Sequence, residues 1–194
     1  MTAVCDVRFD DPAGLVTLSV AIERELERLG GAQRPIVFAC IGTDRSTGDA
    51  LGPLVGQRLL RLGFHPDAVI GSLEEPLHAM NLEERLTPLV NRGIRPLIVA
   101  VDAALGAISS VGTVRLRRGG LLPGQGVGKT LPSIGELALA ATVNVQAGAL
   151  DVQVLQSTRL FLVQQLAELI GTACWWAHRN VCGTAAVPRQ AVAA

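Results

Sequence analysis

Two aspartates stand where an α/β chain can do chemistry. Asp49 closes the polar turn Gly42-Thr43-Asp44-Arg45-Ser46-Thr47-Gly48-Asp49, which follows the unbroken apolar run Ile36–Ile41. Asp102 follows a second such run, Leu97–Val101, and terminates it. Short apolar runs bounded by turn residues predict strands buried on both faces of a parallel sheet. Ligands of such sheets collect beyond the carboxyl ends of the strands. If the two strands are neighbours, both carboxylates face one crevice. Like charges a few ångströms apart resist double ionisation, so the pair can share one proton and activate water, or it can hold a metal. A plainer reading stays open, in which Asp49 N-caps the helix after it and Asp102 caps a turn.

The elements that would position this pair follow from periodicity. Residues 13–29 carry Leu15, Leu18, Ala21, Leu26 and Leu29 at helical spacing, and Gly30 and Gly31 stop the helix. After the Asp49 turn come Leu51, Leu54, Val55, Leu59 and Leu62. Pro53 fits only a first turn, so this helix must begin close to Asp49. Ala68–Leu73 reads as a strand and Leu77–Val90 as a helix interrupted by Pro88. Val111–Arg117 alternates like a half-exposed, edge-like strand. A Gly-rich loop spans Gly119–Gly128, Leu137–Val145 is a further strand, and one long helix runs from about Gly148 to Ala177. Alternation of this kind predicts a single three-layer α/β domain over residues 1–194, a mostly parallel central sheet flanked by helices. Its core spans about 13–178, and 180–194 form a frayed tail.

Composition narrows the function classes. Seventeen basic residues balance seventeen acidic ones, and the cluster Arg115, Arg117, Arg118 is too short for a nucleic-acid patch. Cys5, Cys40, Cys174 and Cys182 form no close pair of the metal-knuckle or redox kind. The start MTAVCDVRFDD lacks the pattern of a signal peptide, and Gln164, Gln165 and Glu168 interrupt the longest apolar helix. A cytoplasmic protein with no nucleic-acid or membrane partner is expected. Self-association is left open, with Trp175 and Trp176 as packing or interface residues.

The segments CIGTDRSTGDALGPLVG (Cys40–Gly56), AVDAALG (Ala100–Gly106), LLPGQGVGK (Leu121–Lys129) and TVNV (Thr142–Val145) resemble the YyaC-type family of sporulation proteins, over roughly residues 36–170. They are more distantly similar to the germination protease that degrades small acid-soluble spore proteins, and to the hydrogenase-maturation endopeptidases. The resemblance implies a fold of the maturation-protease type and a sporulation-associated endopeptidase acting on a protein or peptide. The essential aspartates of the first enzyme, and the acidic metal ligands of the second, would both fall on Asp49 and Asp102. The maturation enzymes take a further histidine ligand from the segment after the Gly-rich loop, but Lys129–Gly135 holds none here, and His65, His78 and His178 lie in segments unrelated to that ligand position. Carboxylates alone make a weak transition-metal site. A catalytic pair without metal or other cofactor is therefore expected.

Three residues are secondary candidates for substrate contact. Asp44 stands where the maturation enzymes carry asparagine; Lys129 is the chain's one lysine; Asn144 sits at a strand end. The run Pro123–Thr130 ends like a phosphate loop, but proline stands where the first glycine is required, which disfavours a nucleotide binder. A non-catalytic protein that binds a peptide or partner on the same fold is the main alternative.

Overall fold

A computed structural model of the chain describes residues 2–78, 80–91, 95–121 and 133–183. Six strands form one sheet in the order β1-β5-β6-β4-β2-β3. They are β1 (Thr2–Arg8), β2 (Ile36–Cys40), β3 (Val69–Ile70), β4 (Leu97–Gly106), β5 (Thr113–Arg118) and β6 (Leu137–Val145). Pairings β2–β3, β2–β4 and β4–β6 are parallel, whereas β1–β5 and β5–β6 are antiparallel. Five helices accompany them: α1 (Gly14–Arg28), α2 (Leu51–Arg61), α3 (Leu82–Asn91), α4 (Asp151–Gln156) and α5 (Leu160–Cys182).

Alternate strand residues serve two cores, as the period of two requires. Phe38, Val99, Val101, Leu116 and Leu139 pack against Leu18, Ile22 and Leu26 of α1, Leu51, Val55 and Leu59 of α2, and Val163, Leu166 and Ile170 of α5. Val37, Ala39, Ile41 and Ala100 face the other way, toward Leu82 and Leu86 of α3. The sheet is thus the middle of three layers. The crossover from β2 to β3 lies on one face and that from β3 to β4 on the other.

One arginine holds the strand entrances together. Arg34, just before β2, donates to both carboxylate oxygens of Glu136, just before β6, at 2.6 and 2.8 Å. It also donates to the carbonyls of Arg95 and Pro96, just before β4, at 3.1 and 2.9 Å. The planar guanidinium suits this forked task.

The inner pair Ile36–Ile41 and Leu97–Val101 is adjacent and parallel as expected, with Cys40 opposite Val101. Other boundaries are corrected. Strand β4 continues through Asp102 to Gly106, paired with β6 alone beyond Val101, so Asp102 lies inside its strand and beyond the end of β2. The 68–73 strand shrinks to β3, and α3 begins at Leu82, with Leu77, His78, Met80 and Asn81 outside it. The 148–177 helix is two helices, broken where Ser157 and Thr158 bond back to the carbonyls of Gln153 and Val154 at 2.8 Å each. Strand β5 is interior, covered by β1, whose Val7 joins the core.

Helix α2 begins directly on the end of β2, because a side-chain carbon on Gly52 would overlap the Ile41 backbone. Gly52→Ala should therefore cost about 1–3 kcal/mol. Urea unfolding measures this, and an unchanged midpoint would show that the two elements do not rest on each other.

Candidate active site

The chain leaves β2 toward β3 on one side, and leaves β4 toward β5 and β6 on the other. The carboxyl ends of β2 and β4 therefore border the point where strand order reverses, the usual ligand crevice of such sheets. Asp49 and Asp102 flank this crevice, each half-buried.

The Asp49 turn is tied down on both sides. Thr43 N–H donates to the Asp49 carbonyl at 3.2 Å, and Gly42, at a φ of 142°, packs so closely on that carbonyl that a side chain would collide with it. Gly48 N–H donates to the Leu155 carbonyl at the end of α4, at 2.8 Å. Asp49 does not cap α2: the capping position is Ala50, and no side chain bonds there. The Ser46 hydroxyl in the same turn is buried without a partner, which leaves a donor for a bound group.

The carboxyls differ in environment. Burial raises the Asp49 pKa, while the Thr43 N–H and the charge of His78 hold it back. Asp102 is pushed up to about 8, first by burial of its carboxyl, although the residue as a whole is only half-buried, and then by the charge of Asp49. The Ala103 N–H, 2.8 Å from Asp102 Oδ1, offsets part of this. Asp102 thus lies within electrostatic reach of Asp49, whose charge adds to burial in raising it.

Among the secondary candidates, Asp44 is exposed, and none of the hydrogen bonds among the described residues joins it to the pair. Lys129 lies outside the described residues. Asn144 is a brace: its amide donates to the Val154 carbonyl at 3.2 Å and to Thr158 Oγ1 at 3.1 Å. Its oxygen accepts the Val145 N–H at 2.8 Å. Thr158 in turn packs against Gly48, so Asn144 supports the Asp49 turn from behind. His78 is exposed, the surface position read for it from the sequence, and it lies before α3, whose first turn holds Glu83 and Glu84.

The described residues contain no group of three or more His, Cys, Asp or Glu side chains that could hold a metal. They do not fit the metal centre that the maturation-endopeptidase resemblance would bring.

The fold is that of a maturation protease. It matches the crystal structure of the [NiFe] hydrogenase maturation protease HycI from Thermococcus kodakarensis KOD1, with a TM-score of 0.55 over 80% of this chain and 99% of that one. At 19% identity the likeness is one of fold. By sequence, the chain belongs to the family described as "Protein of unknown function (DUF1256)", whose model matches residues 6–173. It is 40% identical over 164 residues to "Uncharacterized protein YyaC" of Bacillus subtilis (strain 168), covering 84% of this chain and 78% of that protein. No helix among the described residues is long and apolar enough to cross a membrane.

The raised Asp102 has a consequence for stability. Its carboxyl ionises near the ordinary value of 3.8 when unfolded and only at about 8 when folded. Between those values the folded state holds the extra proton, so stability falls as pH rises from about 4 to about 8 and levels off above. Asp102→Asn should flatten this decline, as read by thermal melts across the range. An equally steep decline in the variant would show that Asp102 titrates normally.

Proposed function

We propose that this protein is a sporulation-associated endopeptidase in which two aspartates activate water against a peptide bond without a metal. One observation carries the reading: Asp49 and Asp102 stand at the strand ends where strand order reverses, burial raises both carboxyls, and the charge of Asp49 adds to the rise of Asp102 to about 8. Asp49 is the base that takes a proton from water. The Asp102 hydroxyl donates to the scissile carbonyl oxygen and stabilises the negative charge that grows there. Perturbed carboxyls in a crevice are the usual mark of such a site. The YyaC-type resemblance and the maturation-protease fold support the same class. The four free thiols suit the reducing cytoplasm as its location.

The test is cleavage of a peptide library that includes acid-soluble spore proteins. Asp49→Asn and Asp102→Asn should each stay folded and lose about 10²–10⁴-fold in turnover. The double variant should fall little further, because the pair acts as a unit. Full turnover in either folded single variant would sink the proposal.

Elemental analysis gives a separate check. Purified active protein should carry no stoichiometric transition metal, and chelators should leave turnover unchanged. About one zinc or nickel per chain, lost together with activity in Asp49→Asn, would replace the metal-free pair with a metal centre.

A further inference from the structure

His78 has no place in the sequence motifs, yet the fold brings the backbone next to it against the Asp49 turn. Leu77 forms a parallel bridge with Ile41, and its carbonyl accepts the Gly42 N–H at 2.7 Å. Gly42 in turn lies directly on the Asp49 carbonyl. Leu77 therefore bonds directly to the first residue of the Asp49 turn, and His78 follows it in the chain. Asn81 secures the connection from the α3 side: its Oδ1 accepts the His78 N–H at 2.9 Å, and its Nδ2 donates to the Pro76 carbonyl at 3.0 Å. In the same stretch Glu75 is paired with Arg85 of α3 at 2.6 Å.

The three histidines divide sharply. The His65 ring accepts the Asp67 N–H at 3.2 Å, and the His178 ring packs edge-on against Phe64 at 4.8 Å between centroids. His78 is exposed, and none of the hydrogen bonds among the described residues engages its ring. Its charge is nevertheless felt at the Asp49 carboxyl. An exposed, uncommitted imidazole on a secured backbone beside a base is placed for proton transfer.

We propose that His78 is the third member of the site and the proton donor to the leaving amine. This rests on the hydrolase reading above. Water oxygen bonds to the carbonyl carbon as Asp49 takes the water proton. The C–N bond then breaks, and the amine nitrogen takes a proton from the His78 imidazolium. Asp49 returns its proton to His78, so the site is restored with one water consumed.

The full-length chain, labelled with ¹⁵N-histidine, tests the placement without any substrate. At fixed pH, Asp49→Asn should move the His78 ring signals and leave His65 and His178 in place, while Asp67→Asn should move only His65. Unmoved His78 signals overturn the proposal. In peptide cleavage, His78→Gln should lower kcat about 100-fold with KM little changed, and added imidazole should restore part of the turnover of His78→Ala. Wild-type turnover in folded His78→Gln also overturns it. If the signals move but the wild-type protein cleaves no peptide, the hydrolase reading and its amine-protonation step fail, while the His78–Asp49 contact stands.

Discussion

The parallel pairing of β2 with β4 decides where chemistry can occur. The two strands run in register from Ile36 opposite Leu97 to Cys40 opposite Val101, and there β2 stops. Strand β4 continues with only β6 beside it. The missing neighbour opens a crevice beside Asp102, while the chain leaving β2 turns back through Asp49 into α2. Gly52 lets that helix begin in contact with the Ile41 backbone, so the turn stays at the crevice instead of swinging out. At the opposite end, Arg34 binds the entrances of β2, β4 and β6, which keeps the three strand ends in step.

Carboxylates elsewhere in the protein show what is unusual about this pair. Glu25 is more buried as a residue than either site aspartate, yet its pKa is lowered, because Arg118 and Arg28 bond to it at 2.7–2.9 Å. Glu136 is lowered in the same way by Arg34. Buried charges are normally compensated like this. Among the described residues no cation bonds to Asp102: burial and another acid raise its pKa, and the Ala103 N–H opposes them. A buried acid without a cation beside it lowers stability at neutral pH.

Support for the site comes from polar side chains that do not belong to the pair. Asn144 holds Thr158 and the end of α4, and that end accepts the Gly48 N–H. The break between α4 and α5 is what allows this, since a continuous helix would use the Val154 and Leu155 carbonyls internally. On the other flank, Asn81 secures the His78 connection. Rigid second partners of this kind are what keep reacting groups in place. The likeness to HycI reaches the fold alone, so the chemistry must be judged from these side chains.

The order of residues alone determined much of the frame. The apolar runs at Ile36–Ile41 and Leu97–Val101 suit strands buried on both faces of a sheet, and the polar turn between the first run and α2 put Asp49 beyond a strand end. Strand β1 was missed because its seven residues alternate weakly and gain burial only by covering β5. Residues 77–81 were read as helix because their apolar spacing runs on smoothly into α3, whereas the bridge of Leu77 to Ile41 is a long-range contact that no local pattern encodes. The same holds for the inequality of Asp49 and Asp102 and for the arrival of His78. Burial and charge at a point depend on segments distant in the chain, so only the tertiary structure could decide what surrounds each carboxyl and how its pKa is pushed.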